Sequence, residues 1–254
     1  MVNSPNIYDK RYSAGYREDL SGYEFARWRA LDHFIRKILR LKNVKTALDY
    51  GCGNGLYVDL WKKVFPSGDL HFCDVSSVAL EQLVSKYPEF KSKCAEVKQN
   101  KAPFNNNFFD VIISVEVIEH VENLNEYLND VHRLLKQGGF FIFTTPCANR
   151  FSIEHILTTL TRQIEKTKEG FIRWKWEDPA HLRRLKSNEI NNILKEIGFD
   201  RIEFRFRSHF FSFFCTYLFR GPLKGLGEQI MLLDYSLFRN LPNGASMIGF
   251  AKKE

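Results

Sequence analysis

The sequence predicts an α/β fold built on a doubly wound, mostly parallel sheet. Three observations carry this prediction: short apolar strands alternate with amphipathic helices, turn residues separate these elements, and a glycine-rich turn follows the first strand. Strands that alternate with helices imply right-handed crossovers and a parallel sheet. With 254 residues, of which 44% are hydrophobic, the chain is long enough for one large domain with a full core.

The elements follow in order along the chain. Residues 23–41 have the spacing of an amphipathic helix, with Trp28, Leu31 and Ile35 on one face. Further helices are predicted at 56–65, 77–87, 124–135, 152–166 and 187–197, and strands at 45–50, 69–73, 94–97, 110–115, 140–145, 201–207 and 245–251.

Cap residues support several of these helices. Ser76 or Ser77 is a suitable N-cap for the helix that ends near Tyr87, and Ser187 is a suitable N-cap for a later one. The pair Gly138-Gly139 and the single Gly198 are expected to end helices, because glycine tolerates the left-handed conformation at a C-terminus.

The most specific pattern is a glycine-rich turn followed by an acidic residue. Gly51, Gly53 and Gly55 follow the first predicted strand, and Asp74 stands 19 positions after Gly55, at the end of the second strand. Glycines let a ligand approach backbone N–H groups, and a carboxylate there can accept hydrogen bonds from a ribose. The sequence therefore predicts a nucleoside-cofactor site. Leu56 stands where a dinucleotide fingerprint needs glycine, which disfavours a nicotinamide dehydrogenase.

The order Asp-x-Gly-x-Gly-x-Gly over residues 49–55 resembles the class I S-adenosylmethionine-dependent methyltransferases. Residues 109–121, residues 134–139 and the stretch from His181 to Phe199 resemble the subfamily that contains the ubiquinone-type O-methyltransferases. Together these motifs cover about residues 44–207.

The resemblance implies a single domain with a Rossmann-like seven-stranded sheet, mostly parallel, whose last strand is antiparallel. Residues 1–43 would form an N-terminal helical cover and residues 44–207 the core. Residues 208–243 would form a helical, aromatic cap insertion before the last strand at 244–254.

The resemblance also implies that the cofactor is S-adenosylmethionine and that its product is S-adenosylhomocysteine. Asp49 would anchor the methionine end through the loop, Asp74 would accept the ribose hydroxyls, and Val75 would pack on the adenine. The remaining cofactor-binding residues would be Gly51, Cys52, Gly53, Gly55, Asn100, Ser114 and Val115. Asn100, or else Gln99, stands in for an acidic residue that the family usually has after the third strand.

Two histidines are candidates for a general base, which a hydroxyl acceptor needs because its proton must leave. His181 is preferred over His120, because it follows residues 178–180 in a loop predicted at the ligand edge of the sheet. Glu116, Glu119 and His120 have the order with which some relatives hold a divalent metal, and His181 would add a fourth ligand. The alternative, which the sequence favours, is that Glu119 and His120 support the following helix and no metal binds.

The acceptor is expected to be a small molecule, bulky or lipid-linked, that is methylated on a hydroxyl. Residues 210–219 hold six aromatic residues: Phe210, Phe211, Phe213, Phe214, Tyr217 and Phe219. This run is too short to span a bilayer. It predicts either a lid over an apolar acceptor or a peripheral membrane contact through residues 208–224. Core packing or a homodimer contact is the alternative.

Charge and composition leave other functions open. The net charge is +7, and residues 161–186 hold eight Lys or Arg against four Asp or Glu. A methyltransferase acting on RNA or tRNA is therefore an alternative, although a solvated basic face explains the charge equally well. N- or C-methylation and a non-catalytic S-adenosylmethionine-binding protein are the others. Five scattered cysteines and no visible signal peptide predict a cytoplasmic protein. The alternative of a membrane contact through residues 208–224 would place it at the inner membrane face.

Overall fold

A computed structural model describes residues 5–16, 21–39, 44–167, 170–219 and 221–254, and the seven-stranded mixed sheet in these segments is flanked by helices. The strands are β1 Thr46–Tyr50, β2 Asp69–Asp74, β3 Cys94–Glu96, β4 Phe109–Val115, β5 Leu135–Pro146, β6 Ile164–Lys166, β7 Ile172–Trp174, β8 Phe199–Arg207 and β9 Ser246–Lys253. β6 and β7 form a separate antiparallel hairpin.

The strand order of the main sheet is β3-β2-β1-β4-β5-β9-β8. The pairs from β3 to β5 are parallel, and β9 is antiparallel to both β5 and β8. The predicted fold class, including the antiparallel last strand, is confirmed. Pro146 and Arg207 both pair with Ser246, so β8 ends at the same edge of the sheet as β5. We call this the carboxyl edge, because the parallel strands also end there.

The helices are α1 Pro5–Ser13, α2 Gly22–Leu39, α3 Val58–Val64, α4 Ser77–Lys86, α5 Leu124–Leu134, α6 Ile153–Leu160, α7 Ser187–Ile197, α8 Ser212–Leu218 and α9 Lys224–Phe238. The side chain of Ser76 caps α4 as predicted, since its Oγ accepts from Ala79 N at 3.1 Å. Gly198 ends α7 with φ +107°.

The core lies in two apolar layers, one on each face of the sheet. Successive residues of β4 alternate between them, as the pleat of a strand requires: Ile112 faces the layer with Leu128 and Leu194, and Ile113 faces the layer with Leu31. Helices therefore cover both faces, and the sheet is doubly wound.

Three local predictions were wrong. α5 ends at Leu134, because β5 begins at once and the pair Gly138-Gly139 lies in an irregular part of that strand. The helix predicted over 152–166 ends at Leu160, since Arg162 takes a left-handed φ of +55° before the β6–β7 hairpin. Ser187 is the first residue of α7 rather than its cap, and Lys186 N donates to Glu189 Oε2 at 2.8 Å instead.

The predicted cap insertion contains α8 and α9. Phe210 packs edge-on against Phe238 of α9 with ring centroids 5.0 Å apart, whereas Phe211 and Phe214 are exposed. The side chains of Phe213 and Tyr217, and residues 1–4, 17–20 and 40–43 of the predicted N-terminal cover, lie outside the described residues. In the described part of the chain, no helix combines the length and the hydropathy needed to cross a bilayer.

Candidate active site

The glycine loop follows β1 at the carboxyl edge. Gly51, Gly53 and Gly55 have φ of +84°, +53° and +85°, a region that glycine enters without steric cost. The backbone N–H groups of Gly51 and Cys52 donate to Cys73 O at 2.8 and 3.1 Å, which holds the loop over the end of β2. A Cβ at Gly51 would overlap Val117, and one at Gly53 would overlap the Tyr12 hydroxyl. Both positions therefore need glycine for close approach as well as for conformation.

Asp74 lies at the end of β2, beside this loop, and lines a cavity at the carboxyl edge. Its two carboxylate oxygens accept from Gly53 N at 2.8 Å and from Ser76 N at 2.9 Å. Burial raises the pKa of Asp74 above the ordinary value, and the backbone donors partly offset that effect. The carboxylate is thus fixed by the main chain at the position where the sequence predicts a ribose contact.

Gly53 and Gly55 of the loop do not line this cavity, and neither do three other predicted cofactor residues, Asp49, Cys52 and Ser114. Asp49 accepts from Trp61 Nε1 at 2.7 Å, and burial raises the pKa of its carboxyl to about 7. Ser114 is fully buried and accepts from the Tyr127 hydroxyl at 2.7 Å. Cys52 is a buried side chain of the loop. These residues can shape the loop and the floor, but their side chains are committed to other protein atoms or to packing.

The cavity wall contains the other predicted residues. Val75, Val115 and Asn100 all line it, together with Val97, which the sequence analysis did not single out. Asn100 has φ +58° and donates from Nδ2 to Glu126 Oε2 at 2.8 Å. Between Asn100 and Gln99, the structure places Asn100 at the cavity.

Tyrosines from α1 and the turn after it form part of the cavity wall, and the sequence analysis did not identify them. Tyr8, Tyr12 and Tyr16 all line it. Their spacing of four residues puts them on one face of a helix, and that repeat was the signal available in the sequence. α1 is held in place because Asp9 Oδ1 accepts from Ser76 Oγ at 2.6 Å. The Tyr8 hydroxyl is buried and has no hydrogen-bond partner among the described residues, so it is available to a ligand.

His120 lines the same cavity, whereas His181 does not line it but contacts His120. The ring centroids of His120 and His181 are 4.7 Å apart, and the Tyr8 ring is 6.1 Å from that of His120. His120 Nδ1 lies 3.0 Å from Ala180 O, and His181 Nδ1 lies 3.2 Å from Glu177 Oε2. Both partners can only accept, so we assign the proton to Nδ1 in each ring, which leaves Nε2 of His181 able to take a proton.

His181 is positioned by a chain of ion pairs. Glu177 contacts Arg184 through its other oxygen, and Arg184 Nη2 donates to Glu154 Oε1 of α6 at 2.7 Å. Burial alone would lower the pKa of His181, but Glu177 and Glu119 raise it above the ordinary value.

Glu116 is separated from the histidines by its own partners. It has φ +56°, its Oε2 accepts from Arg27 Nη2 at 3.0 Å, and its Oε1 accepts from Thr144 Oγ1 at 2.8 Å. The side chain of Glu116 is thus held away from Glu119 and His120, and the three predicted metal ligands do not come together in the structure.

The side chains that do converge are Glu119, His120 and His181, whose ligand atoms lie within 4.8 Å of one another. Glu119 Oε2 accepts from Thr145 Oγ1 at 3.0 Å, while its buried Oε1 has no partner among the described residues. Burial, followed by the charge of Glu116, raises the pKa of Glu119 to about 7. One carboxylate and two imidazoles fit a divalent ion such as Zn²⁺ or Mn²⁺, and the orphaned oxygen supports that fit.

The fold and this cavity define an α/β protein that binds a nucleoside cofactor at the carboxyl edge of its sheet. A family model described as "Methyltransferase domain" matches residues 21–203. The chain belongs to this family. Its class is that of the S-adenosylmethionine-dependent methyltransferases, as the resemblance predicts, and its cofactor is S-adenosylmethionine.

Characterised relatives cover only part of the chain. A ubiquinone biosynthesis O-methyltransferase of Pseudomonas syringae is 31% identical over 140 residues, which are 51% of this chain and 59% of that protein. A tRNA (carboxymethyluridine(34)-5-O)-methyltransferase of Arabidopsis thaliana is 29% identical over 51% of this chain and 30% of that protein. This chain also spans 52% of a similar probable S-adenosylmethionine-dependent methyltransferase of Mycolicibacterium smegmatis.

Solved structures share the fold at low identity. Phosphoethanolamine N-methyltransferase 2 of Haemonchus contortus, in complex with S-adenosylmethionine, superposes with a TM-score of 0.55 at 16% identity, covering 97% of this chain and 60% of that one. The cyclase SpnF superposes with a TM-score of 0.61 at 17% identity over 98% and 95% of the two chains. The fold thus accommodates different reactions, and the reaction must be argued from the site.

Proposed function

We propose that this protein transfers the methyl group of S-adenosylmethionine to a hydroxyl of a small, partly apolar molecule. The observation that carries this proposal is the contact of the His120 ring with the rings of His181 and Tyr8, because His120 and Tyr8 line the cavity that Asp74 also lines. A sulfonium cofactor supplies an already activated methyl group. The protein must therefore hold the acceptor in line, exclude water and remove a proton.

In this proposal Asp74 accepts the ribose hydroxyls and the glycine loop admits the methionine end. The tyrosines of the N-terminal segment exclude water from above, since Tyr12 and Tyr16 lie over the same cavity as Tyr8. Asp49 and Ser114 act beneath the cavity by supporting the loop and the floor.

His181 is the proposed general base. Its Nδ1 donates to Glu177, and this hydrogen bond orients the ring. Nε2 is then the nitrogen that accepts the proton of the acceptor's hydroxyl. The Glu177 carboxylate also stabilises the charged imidazole that results. General-base removal contributes about 10²–10⁴-fold to a rate in typical enzymes. His120 packs edge-on against His181 and is proposed to keep that ring in place.

A metal-assisted form of the same reaction is the second candidate, and the orphaned oxygen of Glu119 favours it. Glu119, His120 and His181 would hold a divalent ion, which would lower the pKa of an acceptor hydroxyl as a Lewis acid. His181 would then be a ligand and not a base.

The exposed Phe211 and Phe214 support an apolar or lipid-linked acceptor, since α8 follows the end of β8 at the carboxyl edge. Contact of residues 208–224 with a membrane remains part of this proposal.

Product analysis tests the proposal. The protein is incubated with methyl-labelled S-adenosylmethionine and with a phenol, an amine or tRNA in separate reactions, and the labelled atom is identified by mass spectrometry. We expect label on the phenolic oxygen. Label only on nitrogen or on tRNA would replace the O-methyl assignment by one of the alternatives.

Exhaustive chelation separates the two forms of the reaction. The general-base form predicts the same turnover before and after dialysis against a chelator. The metal-assisted form predicts loss of turnover that one added divalent ion restores.

A further inference from the structure

α6 and the residues on either side of it expose an unusual number of large apolar side chains. Phe151 is 73% exposed and Leu160 is 74% exposed, and Ile156, Leu157 and Trp176 are also exposed. Residues 156, 157 and 160 share one face of α6, and Trp176 contacts the same helix, since its Nε1 donates to Thr158 Oγ1 at 3.4 Å. Soluble monomers usually scatter such side chains singly, so several of them on one short helix and its flanking residues point to a partner.

Four exposed cations lie in the same part of the chain: Arg150, Arg162, Lys166 and Lys175. Lys175 Nζ donates to Arg162 O at 3.4 Å, which brings these two basic residues together. The salt bridges among the described residues pair none of the four with an acid. The nearby carboxylates Glu154 and Glu165 are instead bound to Arg184 and Arg173. We call the five apolar side chains and the four cations the α6 surface.

We propose that the α6 surface docks on an anionic lipid bilayer. Apolar side chains flanked by cations that form no salt bridge with a described residue match the boundary between acyl chains and anionic headgroups. A second copy of the chain, seated symmetrically on this surface, would bring equal charges together. RNA would match the cations, but the aliphatic side chains Ile156, Leu157 and Leu160 offer it no stacking surface.

This docking would place the methyl-transfer site beside the membrane. Glu154 of α6 holds Arg184, and Arg184 and Glu177 in turn position His181. A chain of side-chain contacts therefore connects Glu154, which lies on the same helix as the α6 surface, with the proposed base. On the basis of the proposed function, the structure assigns the acceptor to the class of membrane-borne hydroxyl compounds.

Vesicle flotation tests the docking with two double variants of the full chain. Phe151→Ser with Leu160→Ser removes apolar insertion, and Arg162→Gln with Lys166→Gln removes charge. The wild type is expected to float with mixed phosphatidylcholine–phosphatidylglycerol vesicles and not with phosphatidylcholine alone. Affinity should fall about fivefold for each charge removed and by about tenfold or more for the apolar pair, and added salt should weaken binding.

Matched controls keep the result specific. Leu237→Ser removes an exposed leucine of α9, and Lys86→Gln with Lys91→Gln removes two exposed charges elsewhere. Both should float like the wild type, and thermal melting of every variant reports folding. Absence of wild-type flotation, or flotation of both α6 variants at wild-type affinity, overturns the proposal. So does a dimer in light scattering that the apolar variant dissociates, or tRNA binding that the charge variant abolishes.

The experiments distinguish a failure of the docking proposal from a failure of the proposed function. Flotation needs no acceptor and no turnover, while the product analysis uses water-soluble acceptors and no vesicles. A protein that floats but transfers no methyl group to oxygen would refute only the proposed function.

Discussion

The two sides of the carboxyl edge are built differently. On the cofactor side, Asp74 is fixed by two backbone N–H groups and the glycine loop is tied to the end of β2. On the acceptor side, the His181 ring is held by the side chain of Glu177, which contacts Arg184 of the same loop and, through Arg184, Glu154 of α6. The cofactor side is thus fixed by main-chain atoms at the edge of the sheet. The acceptor side depends on side chains that can be substituted without disturbing the cofactor side.

The largest expected effect separates the two sides directly. His181→Ala should lower turnover by about 10²–10⁴-fold, because the acceptor's proton loses its base. The affinity for S-adenosylmethionine should stay within a few-fold, since the glycine loop and Asp74 are untouched. Single-turnover rates and calorimetric titration measure the two quantities. Turnover at the wild-type level with the true acceptor would remove His181 from the mechanism.

A matched pair of glycine variants sharpens the comparison on the cofactor side. Gly53 and Gly138 both have positive φ, but only a Cβ at Gly53 would overlap a neighbour, the Tyr12 hydroxyl. Each Gly→Ala change should lower the free energy of unfolding by about 1–2 kcal/mol through backbone strain. Only Gly53→Ala should also weaken cofactor binding, by about tenfold, the equivalent of one hydrogen bond.

Chemical denaturation and calorimetry of both glycine variants make the test. If Gly138→Ala weakened cofactor binding as much as Gly53→Ala, the effect would be one of general stability and the loop would lose its special role.

The smallest expected effect concerns the link between the two sides. Arg11 Nη1 and Nη2 donate to Asp178 at 2.9 and 2.7 Å and so connect α1 to the loop that carries His181. This pair is partly exposed, and Arg11→Gln should cost at most about 1 kcal/mol at neutral pH. Burial alone would raise the pKa of Asp178, but Arg11 and Ala180 N lower it to about 2.

The sign of the pH dependence follows from that depressed pKa. The stabilisation is complete above the ordinary carboxyl pKa of about 3.9 and is lost as the pH falls towards 2. Urea denaturation at several pH values should therefore show the wild type and Arg11→Gln converging below pH 4. Arg36→Gln, which breaks an exposed pair within α2, is the control. A difference between wild type and Arg11→Gln that persists down to pH 2 would contradict this role for Asp178.

The cofactor side could be predicted from the sequence because its signals are local. The glycine spacing, Asp74 at a strand end and the alternation of Ile112 and Ile113 all follow from backbone conformation or strand period. The family resemblance added the antiparallel last strand.

The acceptor side could not be predicted in the same way. Nothing in the local pattern connects Glu154 with Arg184 and Glu177, because their contacts depend on tertiary packing. Glu116 could not be separated from Glu119 by spacing, since its partner Arg27 lies 89 residues away. The β6–β7 hairpin was missed because its first strand, Ile164–Lys166, follows soon after a segment with helical spacing that ends as a helix at Leu160.

Calorimetric titration of the Asp74→Ala variant with S-adenosylmethionine tests the central claim most directly. Loss of a charged acceptor for two ribose hydroxyls should weaken binding by about 100-fold or more, while His181→Ala, measured beside it, binds nearly as the wild type does. The affinity of Asp74→Asn, which keeps one backbone hydrogen bond, should lie between those of these two variants. This variant therefore serves as a control in case Asp74→Ala does not fold. Wild-type affinity in a folded Asp74→Ala protein would contradict the account.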